Sequence, residues 1–133
     1  MRYFALASAA VALVFVSPAG ATGEPWLSRQ SAHHAAERWV REVANQYEIP
    51  FNGGLESAPS CRRLSASRVS CRYALWLTEA EGKEWGLSTA EWCPGVVEMS
   101  RHGERIRERS PGLGRTPCQQ RLPDPLPSWL HRV

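Results

Sequence analysis

The side chains of this chain whose type and spacing could do chemistry are four cysteines, one adjacent histidine pair and a set of arginines on alternate positions. Cys61, Cys71, Cys93 and Cys118 are separated by 9, 21 and 24 intervening residues. A structural zinc site wants close pairs such as C-x-x-C, and these intervals do not supply them. A catalytic thiol would need a reducing compartment and a neighbouring base. An even cysteine count in a small exported chain reads instead as a disulfide framework, with three possible pairings. His33 and His34 are adjacent; on a helix, neighbours point about 100° apart and do not easily serve one metal. The His33–Glu37 spacing reads as an ordinary surface contact. Hard cations want clustered oxygen ligands, and the chain has a single aspartate, Asp124. It contains no G-x-S-x-G, H-E-x-x-H or phosphate-loop motif. Neither metal, cofactor nor catalytic residue is expected. The competing class is a small hydrolase drawing two carboxylates from Glu91, Glu98, Glu104 and Glu108. The arginines around them favour solvated ion pairs.

The compartment follows from the N-terminus. Arg2 precedes an apolar run from Ala5 to Val16, and Ala19-Gly20-Ala21 follows. A basic start, a short apolar run and an A-x-A ending are the parts of a secretory signal. The run is shorter than the roughly 20 residues that span a bilayer. Cleavage after Ala21 takes the 133-residue chain to 112 residues, one domain in length. It also removes Arg2, lowering the formal charge from +3 to +2. That mild excess, carried by 14 arginines and Lys83, does not argue for nucleic acid. The expected product is secreted, periplasmic or extracellular, with no stable membrane span.

The organisation expected is a signal peptide over 1–21, one α+β domain over 22–118 and a proline-rich tail over 119–133. Leu27 to Tyr47 has helical period. Ala32, Ala36, Trp39, Val40, Val43, Ala44 and Tyr47 form the apolar stripe, and Ser28 suits the N-cap. Asn52-Gly53-Gly54 reads as the end of that segment. Folding 61–71 about Ala66 sets Arg63 opposite Val69 and Cys61 opposite Cys71. Directly opposed Cβ atoms are about 4.5–5.5 Å apart, close to disulfide range. Cys61–Cys71 is therefore expected, leaving Cys93–Cys118. Arg68 to Thr78 alternates, with Val69, Cys71, Tyr73, Leu75 and Leu77 on one side. A further strand over 92–100, a His102-Gly103 turn and a strand over 104–110 complete a meander of three to four strands. That turn sets Met99 opposite Ile106, Glu98 opposite Arg107 and, continued inward, Cys93 opposite Gly112. From Pro111 onward, prolines predict an irregular tail held at Cys118, with Trp129 and Leu130 available to dock.

The helix belongs on the Val69–Leu77 side. Arg68, Arg72, Trp76, Trp92, Val96, Arg105, Arg107 and Arg109 fall on the other. Arginine and tryptophan on an open sheet face suit an anionic envelope polymer or a protein partner. The plainer reading is a solvated face with its tryptophans under the tail. The signal segment, alanine-rich helix, C-R-R-x-S…R-V-x-C stretch and later cysteines resemble small exported bacterial proteins of unknown function, over most of 31–118. The resemblance implies architecture and carries no activity. Helix followed by meander also resembles the cystatin-like architecture. The inhibitory Q-x-V-x-G segment is absent, so protease inhibition is not implied.

Overall fold

The computed structural model describes residues 24–109 and 118–133. The signal segment, its cleavage point, Ser110 and the position of Gly112 lie outside the described residues. Helix α1, Arg29–Gln46, starts where the period begins. Ser28 caps it, its side chain accepting from the Ser31 amide at 3.0 Å. Leu27 before the cap and Ala32 in the first turn are both fully buried, closing the helix start onto the core. The buried face carries alanines and valines, Ala32, Ala35, Ala36, Val40, Val43 and Ala44. Side chains this small let the helix axis lie close to a sheet.

That sheet is antiparallel and has six strands: β1 Asn52–Leu55, β2 Arg62–Arg63, β3 Arg68–Leu77, β4 Glu91–His102, β5 Arg105–Glu108 and β6 His131–Arg132. The order is β5-β4-β3-β1-β6, with β2 paired to β3 beside β1. A 3-10 turn, Ala58–Ser60, separates β1 from β2, and a short helix α2, Glu79–Glu84, separates β3 from β4. Val69, Cys71, Tyr73 and Leu75 of β3 join Val97 and Met99 of β4 under α1. Trp39 of the helix meets Tyr73 edge-on at 5.1 Å between ring centroids. The fold is the expected α+β arrangement, with more strands than expected.

Both disulfides are the expected pairs, and the first follows from the register of its hairpin. Arg63 lies opposite Val69, and Cys61 is bonded to Cys71 while Cys93 is bonded to Cys118. No described cysteine is free. The segment just before the helix is tied to the loop of the first hairpin. The Leu27 amide donates to the Ala66 carbonyl at 2.8 Å, and Arg63 donates to the Leu27 carbonyl at 2.7 Å. The Glu24 carboxylate accepts from the Ser65 and Ser67 hydroxyls, which hold its pKa below the usual range.

Three expectations are corrected. Asn52-Gly53-Gly54 is a strand. The two glycines are there because both faces are crowded: a Cβ on Gly53 would sit 2.8 Å from Val40 Cγ1, and one on Gly54 2.6 Å from Leu130 Cδ1. The second hairpin turns at Gly103-Glu104, so Met99 faces Glu108 and Ser100 faces Arg107. Met99 opposite Ile106 and Glu98 opposite Arg107 are thus each displaced by two residues. Gly103 takes φ +60°. Glycine at the first of two turn residues is the type II′ arrangement, whereas a His102-Gly103 turn would put a histidine there. A two-residue slip preserves which side each side chain takes. Finally, the tail is not wholly irregular. It pairs Gln119 with Trp92 and returns as β6, with Arg132 opposite Gly54 and His131 opposite Leu55.

Helix α2 has a capping box: the Glu81 amide donates to Thr78 Oγ1, and Glu81 Oε2 accepts from the Thr78 amide at 2.8 Å. The same carboxylate accepts from Asn52 of β1 at 2.9 Å. These bonds, led by the Thr78 amide, lower the Glu81 pKa from 4.5. A depressed carboxylate contributes stability that is present above its unfolded pKa and is lost as pH falls through the folded one. Acid titration should therefore loosen α2 only below about pH 4.5. Amide exchange at Glu81 and Asn52 checks this; Glu81→Gln should weaken the cap at neutral pH and remove its acid dependence.

Candidate functional site

The face of the sheet away from α1 is built by strand parity. Register pairs Arg68 with Ser100, Ser70 with Glu98, Arg72 with Val96 and Trp76 with Trp92. It then pairs Ser100 with Arg107 and His102 with Arg105. Arg109 follows on the same side, its amide donating to the Glu98 carbonyl. Arg68, Arg72, Arg105, Arg107 and Arg109 thus share one face, as parity implied.

Trp76 and Trp92 do not belong to an open site. They are 1% and 4% exposed and form a second core with Ala74, against which Leu122, Trp129 and Leu130 pack. The tail covers the β1 end of the outer face because two large indoles there would otherwise stand in water. What stays open is the arginine end.

Arg62 was not singled out from sequence. It pairs with Ser70, which puts it on the same face, and it is exposed. The hairpin register that paired the cysteines already contained that placement. With Ser60, Ser70, Arg72, Glu56 and Val96 it lines an open depression of ≈ 370 Å³. Val96 lies directly across from Arg72 and is 50% exposed.

Arg72 is the most firmly placed cation on this face. Glu56, only 3% exposed, accepts from the Arg72 amide at 2.8 Å and from its Nε at 3.0 Å. The guanidinium lies 4.5 Å from the centre of the Trp129 ring. Half of the side chain is still exposed, so one edge is fixed while the other faces the depression. Glu98 is approached by Arg68 at 3.5 Å, and the expected Glu98–Arg107 pair does not form because Arg107 lies opposite Ser100. Among the described residues no carboxylate pairs with Arg105, Arg107 or Arg109. At the open end of the face six arginines are therefore set against two glutamates, Glu56 and Glu98.

The glutamates weighed for acid–base work are divided between sites. Glu98 faces outward, Glu91 opposite Leu77 and Glu108 opposite Met99 have the parity of the helix side, and Glu104 is in the turn. The carboxyls with perturbed pKa values, Glu24, Glu79 and Glu81, are all lowered by hydrogen bonds. A general acid needs the opposite direction. The arrangement is suited to holding anions through fixed guanidinium groups.

No helix among the described residues is long and apolar enough to cross a membrane. No family model matches the chain, and no match is found among curated proteins or solved structures.

Proposed function

We propose that this is an exported binding module whose arginine-rich outer sheet face holds an anionic envelope polymer. The observation that carries the reading is that Arg62, Arg68, Arg72, Arg105, Arg107 and Arg109 share one side of the sheet, with Arg62 and Arg72 lining a depression in it. Alternate residues along a strand are about 6.8 Å apart, and residues two strands apart are separated by roughly 10 Å. Such a grid suits a chain of repeated anions better than one small anion. The exposed Val96 in the middle offers an apolar contact for the ring or backbone of a repeating unit. The two disulfides accord with an oxidising compartment.

The folded, disulfide-bonded protein should be retained on a heparin-type matrix at low salt and released as ionic strength rises. Exposed charges are screened over about 8 Å at physiological ionic strength. Passage straight through the matrix at low salt overturns the reading. Export has its own check. The intact mass of protein recovered from the producing cells' envelope should begin at Thr22, and full-length chain in the membrane fraction contradicts cleavage at Ala21.

A further inference from the structure

We propose that His33, His34 and Glu37 form a binding site for a divalent transition ion of the zinc class, separate from the arginine face. Adjacent histidines alone made a poor metal site, but α1 adds a third group between them. Glu37 is four residues after His33 and three after His34, so the three side chains occupy one triangular facet of the helix. One nitrogen from each ring and one Glu37 oxygen lie within 4.8 Å of one another. His34 Nδ1 is 3.8 Å from Glu37 Oε2. A tetrahedral ion with bonds of about 2.0–2.1 Å places its donors roughly 3.3 Å apart. Side-chain rotation alone can close that difference.

The stronger observation is that His33 and Glu37 each have a second partner on an atom a metal would not need. His33 Nε2 is 2.8 Å from the Glu56 carbonyl, beyond the end of β1. A carbonyl only accepts, so Nε2 carries the proton and Nδ1 keeps its lone pair. The Gln30 side-chain NH2 donates to His34 Nε2 at 3.0 Å; a metal on His34 Nδ1 requires that amide to turn over, so that its oxygen accepts from Nε2–H. Arg41 Nη2 donates to Glu37 Oε1 at 2.6 Å, leaving Oε2. Outer partners that fix tautomer and orientation in this way are typical of metal-binding histidines and carboxylates. Two imidazoles and one carboxylate, with water completing the shell, suit zinc or its transition-metal neighbours rather than magnesium or calcium. His34 is 58% exposed, which gives an ion a way in.

The test uses untagged, metal-free protein with both disulfides intact, titrated with zinc chloride alone in a non-chelating buffer. Calorimetry should show one saturable equivalent. Zinc is diamagnetic, so ring resonances of His33 and His34 should move while those of His102 and His131 stay. Magnesium at the same concentration should leave all four unmoved. His34→Ala replaces an exposed side chain and should weaken binding at least tenfold, with thermal unfolding unchanged. Gln30→Ala, which removes only the outer partner, should weaken it by about tenfold, whereas His102→Ala should have no effect. Absence of saturable uptake, an affinity untouched by His34→Ala, or shifts confined to His102 and His131 would each overturn the site.

Discussion

Replacing Arg105, Arg107 and Arg109 together with serine should abolish retention on the anionic matrix while leaving the unfolding transition where it was. Their side chains are exposed and none contributes to either core. Exposed residues without specific partners usually change stability by no more than about 0.5 kcal/mol. Each charge removed also removes a salt-sensitive contribution, so single variants should elute at progressively lower salt. Arg72→Ser would be a misleading variant. It strands the buried Glu56 carboxylate, and breaking one partner of a buried ion pair typically costs about 3–5 kcal/mol, a figure to be discounted here because the arginine is half exposed. Loss of binding in that variant would then be inseparable from loss of fold. Retention that survives the triple serine change would assign the matrix contact to another surface and sink the proposed face.

Trp76→Ala should have the largest effect on stability. Trp76 is fully enclosed, tilted against Trp92 at 6.3 Å between centroids and covered by the tail residues Trp129 and Leu130. Truncating a buried indole costs about 3–5 kcal/mol, a large share of the 5–15 kcal/mol that stabilises a typical domain. Here the loss has a specific consequence. The pairing of β6 with β1 comprises only Gly54–Arg132 and Leu55–His131, too little to hold the tail alone. The variant should release residues 119–133 to trypsin at Arg121 and Arg132 before the remainder unfolds. Denaturant midpoints and limited proteolysis read the two effects separately. A stability loss below about 1 kcal/mol with the tail still protected would show that the indole cluster does not hold the outer layer.

The arginine face and the histidine facet were legible to different degrees. Arg105, Arg107 and Arg109 alternate within one strand, so their common side is a property of the pleat and survives the slipped turn. The tryptophans were equally visible but were covered by tail residues 30 to 54 positions away in sequence, which no local pattern reports. Glu37 was in view beside the histidines. The Glu56 carbonyl that sets the His33 tautomer was not, because it reaches the helix only through the fold.

By itself the sequence determined α1, the β3 alternation, both hairpins to within two residues and the two disulfide pairings. The helix, the hairpins and Cys61–Cys71 depend on periods of 3.6 and 2 and on pairing arithmetic across short connections, which operate between near neighbours in the chain; Cys93–Cys118, 25 residues apart, followed as the remaining pair. Tertiary structure alone decided that Asn52–Leu55 is a strand, that the last residues add β6, that the indoles are covered and that the open face is confined to the arginine end. Gly53 and Gly54 explain the difference. Their type permits either a turn or a strand, and only the approach of Val40 on one side and Leu130 on the other selects the strand.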